Sequence, residues 1–403
     1  MKKTKKATKW ILAIVLLLST GILLAVRFTN GKITNGEQVI IGYDQTMHRF
    51  QFFEKKTFEL DGIDGPYIAG NTVYEVNANS QLTKQPLNRT ESLQVAVGNA
   101  EQDRFLVTLR ENYYTEEDSC ELPEKIVVLS DIEGNFNGFS AFLISNNITD
   151  SSYNWIFGQG HLVLNGDFVD RGENVMAVLW LIYKLEQEAL NAGGQLHYIL
   201  GNHELMNFQG NLSYNKAKYI KVAELISHAP TSGKAVQFLY SSATETGKWL
   251  HRKNVIEKIG PYIFVHAGLS PKLLNYKLSV ADINEIVSSN ADQNLYSKPG
   301  SNDTANFLMG REGPFWYRGM VKDYKNYNKI TAPELDKILA FYHAEKVIIG
   351  HSRVEDITAE FGKRVINIDL KHGQEKYSGK TKGLFIEKGN IYKIDDKGTK
   401  VLL

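Results

Sequence analysis

The sequence predicts an α/β domain carried behind a small β-rich extension and an amino-terminal transmembrane helix. From Pro123 onward, apolar runs of strand length recur, each ending abruptly in a polar turn that contains or adjoins glycine. Between two of those runs, Glu173 to Asn191 carries apolar residues at helical spacing. At the other end of the chain, an uncharged stretch from Trp10 to Val26 comes after five lysines. With 43% hydrophobic and 23% charged residues in 403, collagen-like, low-complexity and wholly disordered chains are excluded.

Residues 1–9 form a basic tail and 10–27 the expected anchor. The 17 residues Trp10–Val26 would span about 26 Å as a helix, and snorkelling lysines with an interfacial Trp10 extend that toward the roughly 30 Å hydrocarbon layer. A cleaved signal peptide is the alternative, but apolar residues resume directly after Ser19-Thr20-Gly21 and no small-residue cleavage site comes after them. Lysines before the span place the amino terminus inside and the rest of the chain outside the cytoplasm. Lys2, Lys3, Lys5, Lys6, Lys9 and Arg27 leave 40 of the 46 basic side chains to face all 45 acidic ones. The body is therefore mildly acidic and has no global field for nucleic acid.

Residues 28–122 alternate short apolar runs with turn clusters: Gln38–Gly42, Gly65–Ile68, Asn71–Val76 and Arg104–Leu109. They read as β-rich, either a spacer or a segment docked on the α/β domain, with no chemistry of their own.

The domain from 123 to 403 carries five strand-like runs. Ile126–Ser130 runs into Asp131, His161–Asn165 into Gly166-Asp167, Leu196–Leu200 into Gly201-Asn202-His203-Glu204, Tyr262–Val265 into His266-Ala267-Gly268, and Lys346–Gly350 into His351. In α/β sheets ligands collect at the carboxyl ends of strands, so Asp131, Asp167, Asn202, His266 and His351 are expected on one rim. Oxygen and imidazole donors without thiolate suit Mn²⁺, Fe, Zn²⁺ or Mg²⁺. Five such ligands exceed the need of one catalytic ion. Two ions sharing a carboxylate can activate a water between them and clamp the oxygens of an in-line displacement at phosphorus.

Asp131-Ile132-Glu133-Gly134-Asn135, Gly166-Asp167-Phe168-Val169-Asp170-Arg171-Gly172, Gly201-Asn202-His203-Glu204, His266-Ala267-Gly268 and Gly350-His351 together resemble the ordered motif set of the calcineurin-like metallophosphoesterases. The second and third have the form of the phosphoprotein phosphatase branch. Gly201 through Asn207, Gly247-Lys248-Trp249-Leu250 and Gly313-Pro314-Phe315-Trp316-Tyr317-Arg318 resemble the bacterial Shewanella-like phosphatases. The resemblance covers about Pro123 to Asp369 and implies a central β-sandwich flanked by helices.

It also implies roles. Asp131 and Glu133 would bind the first metal, Asp167 would bridge, and Asn202, His266 and His351 would complete the second. His203 would be the general acid, oriented by Asp170, since imidazole titrates near neutrality. Arg171 would grip phosphate oxygens with its planar fork, Arg318 would be a second clamp, and Glu204 would orient a ligand. Trp316 and Tyr317 read equally as groove or core. The family usually carries histidine where this chain has Glu133. An added carboxylate makes the centre less electrophilic, which favours harder ions such as Mn²⁺ or Mg²⁺ and a more alkaline optimum.

These readings imply a membrane-tethered metallophosphatase acting on a phosphorylated protein, at phosphotyrosine or phosphoserine/threonine, or on a small phosphomonoester. The alternatives are a phosphodiesterase or nucleotide pyrophosphatase on the same core, and a catalytically weak, membrane-displayed binding module. His48, His161, His197, His228, His251, His343, His372 and Cys120 are read as structural. A cysteine-phosphatase loop is excluded because Ile126, not arginine, stands six residues after Cys120, and one cysteine excludes a disulfide framework or a thiolate cluster.

Overall fold

A computed structural model of the chain describes residues 2–29, 32–35, 38–44, 49–55, 57–113, 115–293, 303–325 and 327–403. His48 lies outside the described residues, as do the side chains of Trp10 and the lysines before it. The chain divides into two compact units, Met1–Glu59 and Leu60–Leu403.

In the first unit, α1 (Lys2–Thr29) is one continuous helix, and β1 (Lys32–Asn35), β2 (Gln38–Asp44) and β3 (Arg49–Lys55) pair as an antiparallel sheet. Among the described residues no helix is long and apolar enough to cross a membrane. The expected transmembrane helix is thus not supported.

The second unit opens with a sheet of β4 (Asp64–Ala69), β5 (Thr72–Val76) and β6 (Leu82–Pro86) and a hairpin of β7 (Leu93–Ala96) and β8 (Arg104–Val107). This β-rich segment packs on the helix α3 (Val175–Asn191), the next helix along the chain after α2 (Phe136–Ser145). Trp180 Nε1 donates to Pro66 O at 2.7 Å. The reverse face of α3 lies on β12 (Gln195–Ile199), which is why every residue from Val175 to Tyr183 is buried. A helix covered on two sides is apolar nearly all round, where a surface helix keeps one stripe.

Two six-stranded sheets form the centre. The first runs β12, β11 (His161–Asn165), β10 (Lys125–Leu129), β18 (Lys382–Glu387), β19 (Asn390–Asp395), β20 (Lys400–Leu402). The second runs β16 (Thr358–Glu360), β17 (Val365–Asn367), β15 (Lys346–Ile349), β14 (Tyr262–Val265), β13 (Ile256–Ile259), β9 (Ser119–Cys120). The five apolar runs divide between them: β10, β11 and β12 pair in parallel in one sheet, β14 and β15 in the other. Val128, Val163 and Leu384 meet Phe264, Ile348 and Ile366 in one fully buried core, giving the β-sandwich that the motifs implied. At its rim Asn165, last in β11, donates through Nδ2 to Val265 O and Ile348 O, both at 3.1 Å. That buried amide ties the two sheets together at their carboxyl ends.

Candidate metal centre and active site

Asn202, His203 and Glu204 open a short helix after their strand, whereas most other motif residues sit in sharp turns. Asp131, Glu133, Asp167, Asp170, Arg171 and His351 all adopt positive φ, between 49° and 70°, a region that costs a residue with a Cβ of order 1–3 kcal/mol. Hydrogen bonds hold that strain: Asp131 N donates to Gly166 O and Glu133 N to Asp167 O, both at 2.9 Å. A side chain at Gly201 would strike Asp167 Oδ1, and one at Gly350 would strike Asp131 Oδ2. The glycines let neighbouring turns approach the carboxylates.

The turns bring the predicted donors together. His266 Nε2 lies 3.1 Å from both Asp167 Oδ2 and Asn202 Oδ1. Donor atoms of Asp167, His266 and His351, all buried, lie within 4.8 Å of one another, as do those of Glu133, Asp167 and His203. Asp131 accepts from His351 N at 3.2 and 3.3 Å. His266 Nδ1 is 2.9 Å from Asn165 O, which turns Nε2 inward and fixes the tautomer.

The electrostatics match a cation site. Burial and the neighbouring Asp369 hold Asp131 well above the usual carboxylate range. Burial also pushes Asp369 up to about 6. At Asp167 burial is outweighed by His266 and His203, and its carboxyl stays ionised. Burial beside His266 keeps His351 neutral, and its Nε2 is buried without a hydrogen-bond partner. An orphaned imidazole nitrogen facing a surplus of buried carboxylate oxygen is the donor set of a hard or borderline divalent metal, so the residues fit such ions.

The acid pair is equally well defined. His203 Nδ1 lies 2.7 Å from Asp170 Oδ2, and Asp170 Oδ1 accepts from Asn207 Nδ2 at 3.0 Å and Asn215 Nδ2 at 2.5 Å. Burial works against a charged His203, but Asp167 and Asp170 outweigh it and raise its pKa. Glu204 is fully buried and accepts from the backbone N–H groups of Asp167, Phe168 and Gly201 at 3.0, 2.9 and 2.7 Å, so it holds the loop that carries Asp167.

A cavity of about 460 Å³ joins these groups, walled by Asp131, Glu133, Asp167, Asn202, His203 and His351, with Arg171, Arg318 and Trp316 beside them. Arg171 pairs with Glu133 and stacks its guanidinium on Tyr214, 4.7 Å from the ring centre. Glu133 therefore reaches the cavity but is held by an arginine there. Arg318 donates to His351 O at 2.5 Å, which ties its position to a predicted ligand. Trp316 faces the cavity, whereas Tyr317 is core, buried and 4.9 Å from the Tyr327 ring.

Asp369, Arg353, Lys322 and Tyr214 also line the cavity and were not among the expected residues. The sequence carried a signal for Asp369 alone: it ends the apolar run Val365–Ile368, the pattern that marked the other strand ends.

The calcineurin-like phosphoesterase profile matches residues 124–354, more than half of the chain. The chain belongs to that family. It is a metallophosphatase. Over 298 residues it is 39% identical to Shewanella-like protein phosphatase 2 of Arabidopsis thaliana, covering 62% of this chain and 72% of that one. It is 31% identical over 245 residues to Shewanella-like protein phosphatase 1 of Plasmodium berghei, covering 61% of this chain and 66% of that one. Among solved structures, it resembles a cold-active protein-tyrosine phosphatase of a psychrophilic Shewanella species with a TM-score of 0.74 and 31% identity, over 85% of this chain and all of the other.

Proposed function

We propose that this metallophosphatase hydrolyses phosphomonoesters on protein side chains, phosphotyrosine foremost, at a centre of two divalent ions. The carrying observation is that the His203–Asp170 pair and the cations Arg171, Arg318, Lys322 and Arg353 border the same cavity as the donor set. A terminal phosphate offers several free oxygens to such cations; a diester offers fewer. The likeness to a protein-tyrosine phosphatase supports the choice of phosphotyrosine.

In this reading Asp131, Asp167, Asn202, His266 and His351 would hold the ions, with Glu133, paired to Arg171, as the further carboxylate beside the first. When bound, the ions supply positive charge and an activated water. Arg171, steadied by Tyr214 and Glu133, orients the phosphate, and Arg318 clamps it from the His351 side. His203, kept protonated by Asp167 and Asp170, gives its Nε2 proton to the leaving oxygen.

The full chain in detergent, stripped of metal and reloaded with Mn²⁺, Mg²⁺, Zn²⁺ or Fe, is to be assayed on an aryl phosphomonoester, an aryl phosphodiester and a phosphotyrosine peptide. Metal-dependent turnover of the peptide and monoester, absent in Asp167→Asn, is expected. Diester preference overturns the reading. In the same assay Glu133→His is expected to shift the metal preference away from Mn²⁺ and Mg²⁺ and to move the optimum to lower pH.

We further propose that α1 anchors the protein in a membrane with the catalytic unit outside the cytoplasm. Leu16, Leu17 and Leu18 are 70%, 73% and 64% exposed, an apolar surface that water does not favour. Ser19 Oγ and Thr20 Oγ1 return their hydrogen bonds to Leu16 O at 2.9 and 2.7 Å, leaving no hydroxyl unsatisfied in lipid. Resistance of the full chain to alkaline carbonate extraction, together with cleavage by externally added protease, is expected; release into the supernatant overturns the anchor.

A further inference from the structure

We propose that Cys120, His161 and His197 form a second metal site, separate from the phosphatase centre, for a single thiophilic ion of the Zn²⁺ class. One donor atom from each lies within 4.8 Å of the other two. His197 Nε2 and His161 Nδ1 face one another at 2.9 Å. Two imidazoles on one tetrahedral zinc stand about 3.3 Å apart, given bonds of roughly 2.0–2.1 Å, so replacing the shared proton by an ion opens the pair by a few tenths of an ångström.

The surroundings have the form that metal-ligating histidines use. His197 Nδ1 lies 2.6 Å from Glu257 Oε2, and Asn254 Nδ2 donates to Glu257 Oε1 at 3.0 Å. A carboxylate on the far ring nitrogen turns Nε2 toward the ion and raises its basicity.

The three donors come from three strands. Cys120 ends β9, His161 starts β11 and His197 is central in β12, so the cluster lies toward the opposite end of β11 from Asp167. Cys120 and His161 are half-buried, which leaves an entry path, while His197 is buried and rigidly placed. One cysteine excludes a thiolate cluster but leaves a mixed sulfur–nitrogen site, with the fourth position open to water. Such a site would pin β9 of the second sheet to β11 and β12 of the first.

Cobalt(II) reports the sulfur directly, since no thiolate lies among the phosphatase ligands. The metal-free full chain titrated with Co²⁺ is expected to develop a sulfur-to-cobalt charge-transfer band in the near ultraviolet, bleached by Zn²⁺. Asp167→Asn should keep the band. Cys120→Ser and His197→Gln should lose it, Cys120→Ser with phosphatase turnover unchanged. Glu257→Gln should weaken cobalt binding roughly 10–100-fold. X-ray absorption on the zinc-loaded wild type should contain a zinc–sulfur distance near 2.3 Å, a readout independent of any variant's folding. A wild type without the band or the sulfur distance, or a band that survives Cys120→Ser, overturns the site.

Discussion

Two regions of this molecule bury clusters of charge and treat them in opposite ways. Where the β-rich segment docks on α3, charges are paired. Arg110 donates to Glu186 Oε1 at 2.6 Å and to Tyr183 O at 2.5 Å, and Glu186 Oε2 accepts from Trp249 Nε1 and Lys253 Nζ, each at 2.7 Å. Burial alone would raise Glu186, yet Lys253 and Arg110 bring its pKa below the ordinary value. At the catalytic rim the balance is the reverse. Asp131 and Asp369 are held above their ordinary range, and His351 Nε2 has no partner. Both regions carry a desolvation cost. At the seam the ion pairs offset it and set which surfaces meet; at the rim it is left for bound ions to offset, which is what gives the rim affinity.

Substitutions that touch one region alone sharpen this contrast. His203→Gln, which removes the acid and leaves the donor set intact, should lower kcat roughly a hundred- to ten-thousand-fold with metal content unchanged by elemental analysis. Loss of metal together with activity would mean that His203 belongs to the ligand set. Glu186→Ala leaves Arg110 and Lys253 short of their shared partner. Denaturant unfolding should register a loss of about 3–5 kcal/mol, with turnover per folded molecule preserved. A loss below about 1 kcal/mol would break the comparison.

Asp64 tests the seam by pH. It is buried against Tyr67, whose hydroxyl donates to it at 2.5 Å, and burial lifts its pKa to about 6 despite Lys218. The folded state thus binds this proton more tightly than the unfolded chain. Its contribution to stability is full below the unfolded value of 3.8 and is lost as pH rises through about 6. Asp64→Asn should therefore gain on the wild type between pH 4 and pH 7, by on the order of 3 kcal/mol in paired denaturation curves. The smallest effect is expected from Arg89→Ala. Arg89 meets Glu245 at 2.7 Å, but its side chain is 45% exposed, and water screens the pair to about 1 kcal/mol or less.

Much of the rim was legible because each donor comes directly after a continuous apolar run of strand length, and the polar, glycine-bearing turn marks where that run stops. α3 was legible from its 3.6-residue spacing, although its burial on both faces was not: that needed the β-rich layer laid over it. Glu133 illustrates the limit. Its position among the ligands comes from the motif, while its pairing with Arg171, from the next motif along the chain, arises only from two left-handed turns facing each other. Arg353 and Lys322 carry no pattern that separates a cavity-lining cation from a solvated one. Cys120, His161 and His197 read singly as structural residues.

The sequence by itself determined the α/β texture and the donors at the strand ends, because apolar runs and turn residues act over a few neighbouring positions, and its ordered motifs pointed to the class of chemistry. Tertiary structure decided how the strands divide between two sheets, which buried charges found partners, and that a cysteine and two histidines from three strands meet. Those outcomes depend on distances between segments remote in the chain, which are set by side-chain packing in the sandwich core and by the cost of leaving a buried polar atom unpaired.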